Sequence, residues 1–246
     1  MEKSITMASQ DVKISIVMPA YNVDSYIDEA IQSTLAQKGV SFELLIGDDG
    51  STDQTWKWIK AYQKDPRVRS WKFHKNRGAS VTRNSLIAYS HGSYIAACDA
   101  DDVMLPKHLK TLAQVLDREP EIGVVYGNLI EELPSGKHRP LPRSPGHTKT
   151  WDLIDGSITN VGTLVRRKLI QKIGGYRCRL PFLEDCDLFL RLAEITQFKY
   201  LKNKPSYLYR RHHDSLSDQP KQMWKAVGQK IIKDAIFRRY GTKVKW

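Results

Sequence analysis

Three carboxylates follow directly after an apolar stretch at residues 94–97. They are Asp99, Asp101 and Asp102, and they lie within four residues of one another. Like charges at this spacing repel one another and resist burial, so they are tolerated where a cation or hydrogen-bond donors lie among them. The cluster therefore predicts a divalent metal site. The alternative is an acidic helix N-terminus, in which Asp101 or Asp102 caps a helix that begins near Pro106.

Two earlier loops carry residue types that suit a nucleotide. The loops are Pro19-Ala20-Tyr21-Asn22 and Asp48-Asp49-Gly50-Ser51-Thr52-Asp53. Tyr21 could stack on a base, and Asp49 could accept a base N–H group. Asp99 could then bond ribose hydroxyls while Asp101 binds a metal that bridges phosphates. Each loop also has a simpler explanation, since Tyr21 could be a packed aromatic residue and the acidic loop a turn with a helix cap.

Strands and helices that would position these loops alternate through the first half of the chain. Apolar segments predict strands at residues 13–19, 42–47, 69–74, 94–97 and 122–126. Helical periodicity predicts intervening helices, the first at residues 25–37 with Asp24 as its cap. Such alternation predicts a parallel sheet, whose carboxyl edge is where open α/β sheets bind ligands. Arg77 and Arg83, at the third helix, would neutralise phosphate oxygens there.

The second half of the chain is less regular. Residues 131–150 contain four prolines and are predicted to form an exposed, flexible loop. A strand at residues 161–165, a helix at 184–194 and two β-like segments at 198–202 and 207–210 follow. We predict one domain over residues 1–218, with a nucleotide half at 11–128 and a second half at 150–218, followed by a basic helical tail at 219–246.

Composition and charge restrict the class of protein. The 246 residues are 41% hydrophobic and carry a formal net charge of +12, which predicts a folded chain with an anionic partner. No run approaches a membrane span, so the sequence predicts a cytoplasmic protein. Neither a Walker A motif nor Gly-x-Gly-x-x-Gly is present, which argues against a P-loop or dinucleotide-binding protein. Cys98, Cys178 and Cys186 show no disulfide or zinc pattern and are predicted to be reduced.

The tail concentrates the positive charge, with eight basic residues against one acid over residues 219–246. On a helix at 221–239, apolar residues are predicted to share one face: Met223, Trp224, Val227, Ile231, Ala235 and Ile236. One interpretation is packing onto the domain. The other is a peripheral contact with the inner face of a membrane, since basic amphipathic helices bind anionic lipid. Nucleic acid is the weaker choice, because no recognition motif accompanies the charge.

As an ordered set, these motifs resemble glycosyltransferase family 2, the inverting nucleotide-sugar transferases with the GT-A fold. The matching stretches are Val17-Met18-Pro19-Ala20-Tyr21-Asn22, the Asp48 to Asp53 loop, Asn76-Arg77-Gly78 with Thr82-Arg83-Asn84, Asp99-Ala100-Asp101-Asp102, Gly174-Gly175-Tyr176-Arg177, Glu184-Asp185-Cys186-Asp187, and Tyr209-Arg210-Arg211-His212 with Ser215 and Ser217. The resemblance covers residues 13–217. It implies an α/β fold with a mostly parallel central sheet, flanking helices and a mixed C-terminal half.

The resemblance also implies chemical roles. The donor would be a nucleotide-sugar, with a UDP-sugar favoured, and the acceptor a carbohydrate or lipid-linked saccharide. The second half of the domain, at 150–218, would be the acceptor half. Asp185 would be the general base and Glu184 an acceptor contact, since adjacent like charges raise the pKa of one member. Mn²⁺ or Mg²⁺ would bind Asp101, Asp102 and His212, with His213 as a second choice. The implied nucleotide-sugar-binding residues are Pro19, Ala20, Tyr21, Asn22, Asp49, Arg77, Gly78, Arg83, Asp99, Ala100 and Asp101.

Two other classes of protein fit parts of the pattern. Asp99-Ala100-Asp101-Asp102-Val103 also matches the Asp-x-Asp-x-Thr/Val signature of haloacid-dehalogenase-like phosphatases. Motif order argues against that class, because its nucleophile strand comes first, whereas here another acidic loop precedes it. A non-catalytic nucleotide-sugar-binding protein of the same fold is the other alternative, and nothing in the acidic residues favours it.

Overall fold

A computed structural model describes residues 12–143, 160–202, 206–212 and 221–241. The elements in these ranges follow one another from the first strand to the helical tail. They are β1 (Ile14–Ala20), α1 (Ile27–Leu35), β2 (Phe42–Asp48), α2 (Thr55–Ala61), β3 (Val68–Lys72), α3 (Ala79–Ala88), β4 (Tyr94–Ala97), β5 (Val103–Met104), α4 (His108–Arg118), β6 (Ile122–Gly127), β7 (Leu129–Glu132), β8 (His138–Leu141), β9 (Thr163–Arg166), α5 (Arg167–Lys172), α6 (Glu184–Ala193), β10 (Gln197–Leu201), β11 (Tyr207–Arg210) and α7 (Lys221–Tyr240).

The main sheet has seven strands in the order β10-β6-β9-β4-β1-β2-β3. β1 lies parallel to β2 and β4, and β2 lies parallel to β3. β9 is antiparallel to both of its neighbours, β4 and β6. The predicted mostly parallel sheet is therefore confirmed. Ala20 is in register with Asp48, and Val17 with Ala97, so the three predicted loops leave the same edge of the sheet.

Both faces of the sheet are covered, which explains the continuous apolar runs in its strands. Successive residues of a strand point to opposite faces. Leu44 and Ile46 of β2 thus pack in one core with residues of α1, α2 and α4. Leu45 packs in the other core, with residues of α3, α5, α6 and α7. The sheet is consequently a rigid support for the loops at its carboxyl edge.

A smaller sheet, in the order β5-β11-β7-β8, corrects the predicted flexible loop at residues 131–150. β7 and β8 form an antiparallel hairpin, so residues 131–141 are paired strands joined by a turn and not an irregular loop; residues 134–140 are exposed, as predicted. Pro140 is compatible with β8 because this strand lies at a sheet edge, where one side needs no ladder hydrogen bonds. Glu131 is buried and accepts hydrogen bonds from Arg139 and Arg211. Residues 144–150 lie outside the described ranges.

The predicted helix cap at Asp24 is wrong, and so is the alternative that Asp101 or Asp102 caps α4. α1 begins at Ile27 after Tyr26, and no side chain caps it. Asp24 instead accepts a hydrogen bond from Gln54 N at 3.3 Å, because the loops after β1 and β2 pack together. α4 follows Lys107, also without a side-chain cap, so neither Asp101 nor Asp102 serves as the cap of this helix.

The tail helix α7 packs onto the domain through part of its predicted apolar face. Ile231 and Ala235 are buried, and Val227 packs beside them in the core that includes α6. Ile236 is only half-buried. The side chains of Met223 and Trp224 lie outside the described set. Among the described helices, none is both long and apolar enough to cross a membrane.

Candidate active site

The loops after β1 and β2 are joined to each other by hydrogen bonds. Asp49 N donates to Ala20 O at 2.8 Å, and Asn22 N donates to Ser51 Oγ at 3.0 Å. Asn22 has a φ of 51°, a left-handed conformation that asparagine tolerates better than most residues. Tyr21 is 44% exposed beside this junction. Its ring is thus accessible to a flat ligand instead of being packed inside.

Asp49 fixes the entry to α3. Its Oδ2 accepts a hydrogen bond from Gly78 N at 2.8 Å, and both oxygens lie 3.0–3.1 Å from Arg77 N. Gly78 has a φ of 89°, which glycine adopts without the steric cost of a side chain. The Arg77 guanidinium lies 3.8 Å from the centre of the Phe73 ring. Asp49, which is predicted to contact the nucleotide base, is therefore a nearly buried carboxylate. The backbone N–H groups of Arg77 and Gly78 set its orientation.

Arg83 connects the acidic loop after β4 to the first turn of α6. Its Nη2 lies 2.7 Å from Asp99 Oδ1, and its Nη1 lies 2.7 Å from Glu184 Oε1. Burial by itself would lower the pKa of Arg83, but the two carboxylates raise it well above its usual value. The predicted phosphate contact is revised, because this guanidinium is buried and held between two acids. Its position instead links residues of the two predicted halves.

Asp101 and His212, both predicted metal ligands, are adjacent. His212 Nε2 lies 2.8 Å from Asp101 Oδ2. The imidazole stacks on the Tyr26 ring, with ring centroids 4.9 Å apart. The Arg210 guanidinium lies 5.2 Å from the centre of the Tyr26 ring. Arg210 Nη1 also donates to Asp101 O at 2.9 Å. In the ranges that the structure describes, no group of three His, Cys, Asp or Glu side chains forms a metal cage. His213 lies outside those ranges.

Asp102, predicted to assist Asp101, has other partners. It is 0% exposed, and its Oδ1 accepts a hydrogen bond from Arg210 N at 2.9 Å. Its Oδ2 accepts one from the Tyr207 hydroxyl at 3.1 Å. Burial raises the pKa of Asp102 well above its usual value, and the charges of Asp101 and Asp99 add to the rise. Through these contacts Asp102 attaches the acidic loop to β11 and so positions Asp101 and His212, a role that the sequence does not predict.

The Tyr207 hydroxyl is central to this attachment, so Tyr207→Phe should destabilise the fold. The hydroxyl also accepts a hydrogen bond from Asp99 N at 3.3 Å. Without it, the buried Asp102 carboxylate loses one of its two donors. We expect the free energy of unfolding to fall by about 2 kcal/mol, measured by urea denaturation.

A matched control for this variant is Tyr200→Phe. The Tyr200 hydroxyl donates to the neutral Asn128 Oδ1 at 2.6 Å. Because hydrogen bonds to neutral acceptors contribute less, we expect a loss of about 1 kcal/mol. Equal losses in the two variants would contradict the special role of the Asp102 contact.

Asp185 lies in the first turn of α6, beside Glu184. Its Oδ1 accepts a hydrogen bond from Cys186 N at 2.8 Å, and its Oδ2 accepts one from Asn160 N at 3.4 Å. Burial raises the pKa of Asp185 to about 6, and the neighbouring Glu184 carboxylate adds to the rise. A carboxylate with a pKa near neutrality is suited to accept a proton at physiological pH. The electrostatic environment of Asp185 therefore suits the predicted role of general base.

Several residues of the site were not predicted as such. Asn160 orients Asp185, and the Tyr176 hydroxyl holds Asn160 Oδ1 at 2.7 Å. Tyr207 likewise holds Asp102 through its hydroxyl, whereas Tyr26 supports His212 by ring stacking. Tyr176 lies within the Gly174-Gly175-Tyr176-Arg177 motif, and this motif is the sequence signal that could have identified it as a site residue. Tyr26 and Asn160 carry no comparable signal, because their importance arises from contacts between distant segments.

A family model described as glycosyl transferase family 2 matches residues 15–174, which is well over half of the chain. A chondroitin synthase from Pasteurella multocida (strain Pm70) is 28% identical over 229 residues. The match includes 91% of this chain but 24% of that protein. The chain spans about a quarter of the length of this relative and of two others, a hyaluronan synthase from Pasteurella multocida and a Sinorhizobium fredii protein.

Solved structures show the same fold. S. aureus TarS 1-349 in complex with UDP aligns with a TM-score of 0.75 at 20% identity, covering 92% of this chain and 66% of that one. The mannosyltransferase PcManGT from Pyrobaculum calidifontis, in complex with GDP-Man and Mn²⁺, aligns with a TM-score of 0.66 at 13% identity, covering 97% of this chain and 67% of that one. The family match leaves the phosphatase alternative without support. The chain therefore belongs to glycosyl transferase family 2 and contains a glycosyltransferase domain with the α/β GT-A fold predicted from its sequence.

Proposed function

We propose that this chain transfers a sugar from a nucleotide diphosphate sugar to an acceptor hydroxyl, with inversion at the anomeric carbon and with a divalent cation. A UDP-sugar is the favoured donor, and the acceptor is a carbohydrate or a lipid-linked saccharide. The observation that carries the proposal is the contact of Asp101 with His212 at 2.8 Å, at the sheet edge where the three predicted loops begin. UDP and UDP-GlcNAc complexes of TarS, which shares the fold, support the choice of donor.

The residues present fit a divalent metal. A carboxylate oxygen and an imidazole nitrogen suit Mn²⁺, and the oxygen of Asp101 also suits Mg²⁺. We assign Asp101 and His212 as the protein ligands, without Asp102, because the hydrogen bonds from Tyr207 and Arg210 N hold its fully buried carboxylate against β11. When bound, the cation offsets the charge of the diphosphate. Tyr26 and Arg210 hold the two ligands in place.

The donor side is assigned to the loops after β1, β2 and β4. Tyr21 stacks on the base, with Pro19, Ala20 and Asn22 shaping the loop beside it. Asp49 accepts a base N–H group, since a carboxylate oxygen can accept two hydrogen bonds and backbone donors fix its orientation. Asp99 binds ribose hydroxyls, and the backbone at Ala100 adjoins them. The partly exposed Arg77 approaches the phosphates, while Gly78 and Arg83 position their neighbours.

On the acceptor side, Asp185 is the general base. It accepts the proton of the acceptor hydroxyl as that oxygen bonds to the anomeric carbon from the face opposite the leaving group. The bond from the anomeric carbon to the diphosphate oxygen breaks at the same time, which releases the nucleoside diphosphate. Glu184 contacts the acceptor, and Arg83 holds its carboxylate in place.

A donor panel tests this function. UDP-, GDP- and dTDP-sugars would be titrated with and without Mn²⁺, scored by calorimetry and by release of nucleoside diphosphate. We expect UDP-sugars to bind most tightly and to be hydrolysed slowly with Mn²⁺. Chelation should weaken donor binding by roughly tenfold or more, because the cation neutralises diphosphate charge.

The same panel separates the alternatives. Unchanged turnover under chelation would exclude the metal-dependent mechanism. Binding without any hydrolysis, and without transfer to a mixture of saccharide acceptors, would favour the non-catalytic nucleotide-sugar-binding protein. Preference for a GDP- or dTDP-sugar would be consistent with the proposed reaction but would change the proposed nucleotide of the donor from UDP to GDP or dTDP.

A further inference from the structure

The side of α7 that points away from the domain carries an ordered set of cationic and apolar residues. Its members are exposed or half-buried in the described part of the helix, and we call them the outer face: Lys225, Ala226, Gln229, Lys230, Lys233 and Phe237. Residues three and four apart share one side of a helix, which places Ala226, Lys230, Lys233 and Phe237 in one row. The opposite side holds Ile231 and Ala235, which are buried. The outer face is therefore the unpartnered side of this helix among the described residues.

The outer face has charge of one sign and one large apolar group. None of its three lysines has an acidic partner within ion-pair distance among the described residues, whereas the one acid of the helix, Asp234, lies 3.4 Å from Arg177. Phe237 is 50% exposed and is one of few large hydrophobic side chains at the described surface. From Lys225 to Phe237 the face is about 18 Å long. A straight cationic row with an aromatic anchor complements a flat anionic surface.

The position of α7 connects this face to the acceptor side of the site. A Cβ at Gly228 would lie 3.8 Å from Leu183, the residue just before α6. At the other end, Arg238 pairs with Glu194, which follows α6. α7 therefore runs beside α6 in the same direction. The first turn of α6, with Glu184 and Asp185, lies next to the N-terminal part of α7.

We propose that the outer face of α7 binds the surface of an anionic membrane. Lysines near such a surface each strengthen binding about fivefold, and an exposed aromatic ring enters the interface between headgroups and acyl chains. The buried side of the helix takes no part, because the domain core covers it. The contact would bring the acceptor side of the site close to the bilayer, where a lipid-linked saccharide is located. The membrane contact does not depend on the proposed reaction.

Vesicle sedimentation tests the contact with the full chain. We expect binding to phosphatidylcholine vesicles that contain about one-third phosphatidylglycerol, weakened several-fold when NaCl rises from about 0.1 M to about 0.5 M. Pure phosphatidylcholine vesicles should not bind. The double variant Lys230→Glu/Lys233→Glu should lower affinity by about 25-fold or more, and Phe237→Ser by about fivefold.

A matched control is Lys57→Glu/Lys60→Glu on α2. These exposed lysines have the same spacing, but α2 packs on the other face of the sheet, where Ile59 joins the opposite core. The control should retain vesicle affinity within about threefold, because its charges face away from the bilayer. Failure of the wild type to bind anionic vesicles, or equal losses in the two double variants, would overturn the proposal. So would tighter binding to duplex DNA or RNA that the α7 variants abolish, which would identify nucleic acid as the partner.

Discussion

Asp185→Asn is expected to abolish transfer while leaving donor binding unchanged. The amide cannot accept the proton of the acceptor hydroxyl, and general-base catalysis typically contributes a factor of 10² to 10⁴, so kcat should fall about a thousandfold. The substitution keeps the shape of the side chain. Its amide oxygen can accept the hydrogen bond from Cys186 N at 2.8 Å, and only the longer 3.4 Å contact with Asn160 N is lost. Donor affinity, measured by calorimetry with Mn²⁺, should therefore stay within about twofold.

The pH dependence of the wild type provides a second measurement. The reactive form of Asp185 is ionised, and burial raises its pKa to about 6. Activity should therefore be nearly full at about pH 7, half-maximal near pH 6 and about one-tenth at pH 5. Glu194→Gln, at the far end of the same helix, should keep this acid limb. Normal transfer by Asp185→Asn would exclude Asp185 as the base.

Asp101→Asn should have the largest effect on the metal. Replacing a charged ligand oxygen by an amide should weaken Mn²⁺ binding by about 100-fold, because hard cations prefer charged oxygen ligands. The measurement is a Mn²⁺ titration followed by electron paramagnetic resonance of the free ion, which does not require turnover. Donor affinity in the presence of Mn²⁺ should fall with it.

Asp102→Asn is the comparison that tests the revised assignment. Its amide oxygen could accept the hydrogen bond from Arg210 N, and its amide could donate to the Tyr207 hydroxyl, which can act as an acceptor. We expect Mn²⁺ affinity within about threefold of the wild type, because the loop stays attached to β11. A loss as large as that in Asp101→Asn would make Asp102 a ligand after all.

The parts of the fold that were predicted correctly depend on local patterns. The strands β1, β2 and β4 are largely apolar, and acidic loops follow β2 and β4, so sequence alone identifies both the strands and the edge at which their loops meet. Position in a parallel sheet then brings Tyr21, Asp49 and Asp101 to one side without further information. The residue types at this edge were sufficient to predict a nucleotide-binding site.

The parts that were not predicted depend on contacts between distant segments. Four prolines suggested a flexible loop at residues 131–150, whereas pairing with β11 stabilises the hairpin of β7 and β8. Asp102 has the same residue type and nearly the same position as Asp101. Only the approach of Tyr207 and Arg210 from β11 separates their roles. The buried state of Arg83 likewise follows from Glu184, 101 residues further along the chain.

The antiparallel strand β9 has a consequence for how the chain acquires its structure. β4 and β6 are not neighbours, because β9 lies between them and pairs with both. During synthesis, the edges of β4 and β6 that pair with β9 therefore stay unpaired until residues 163–166 have been made. A fragment that ends at residue 128 would expose both edges, and exposed strand edges promote aggregation. We therefore expect such a fragment to aggregate, because β6 has no strand partner in the main sheet until β9 and then β10 are present.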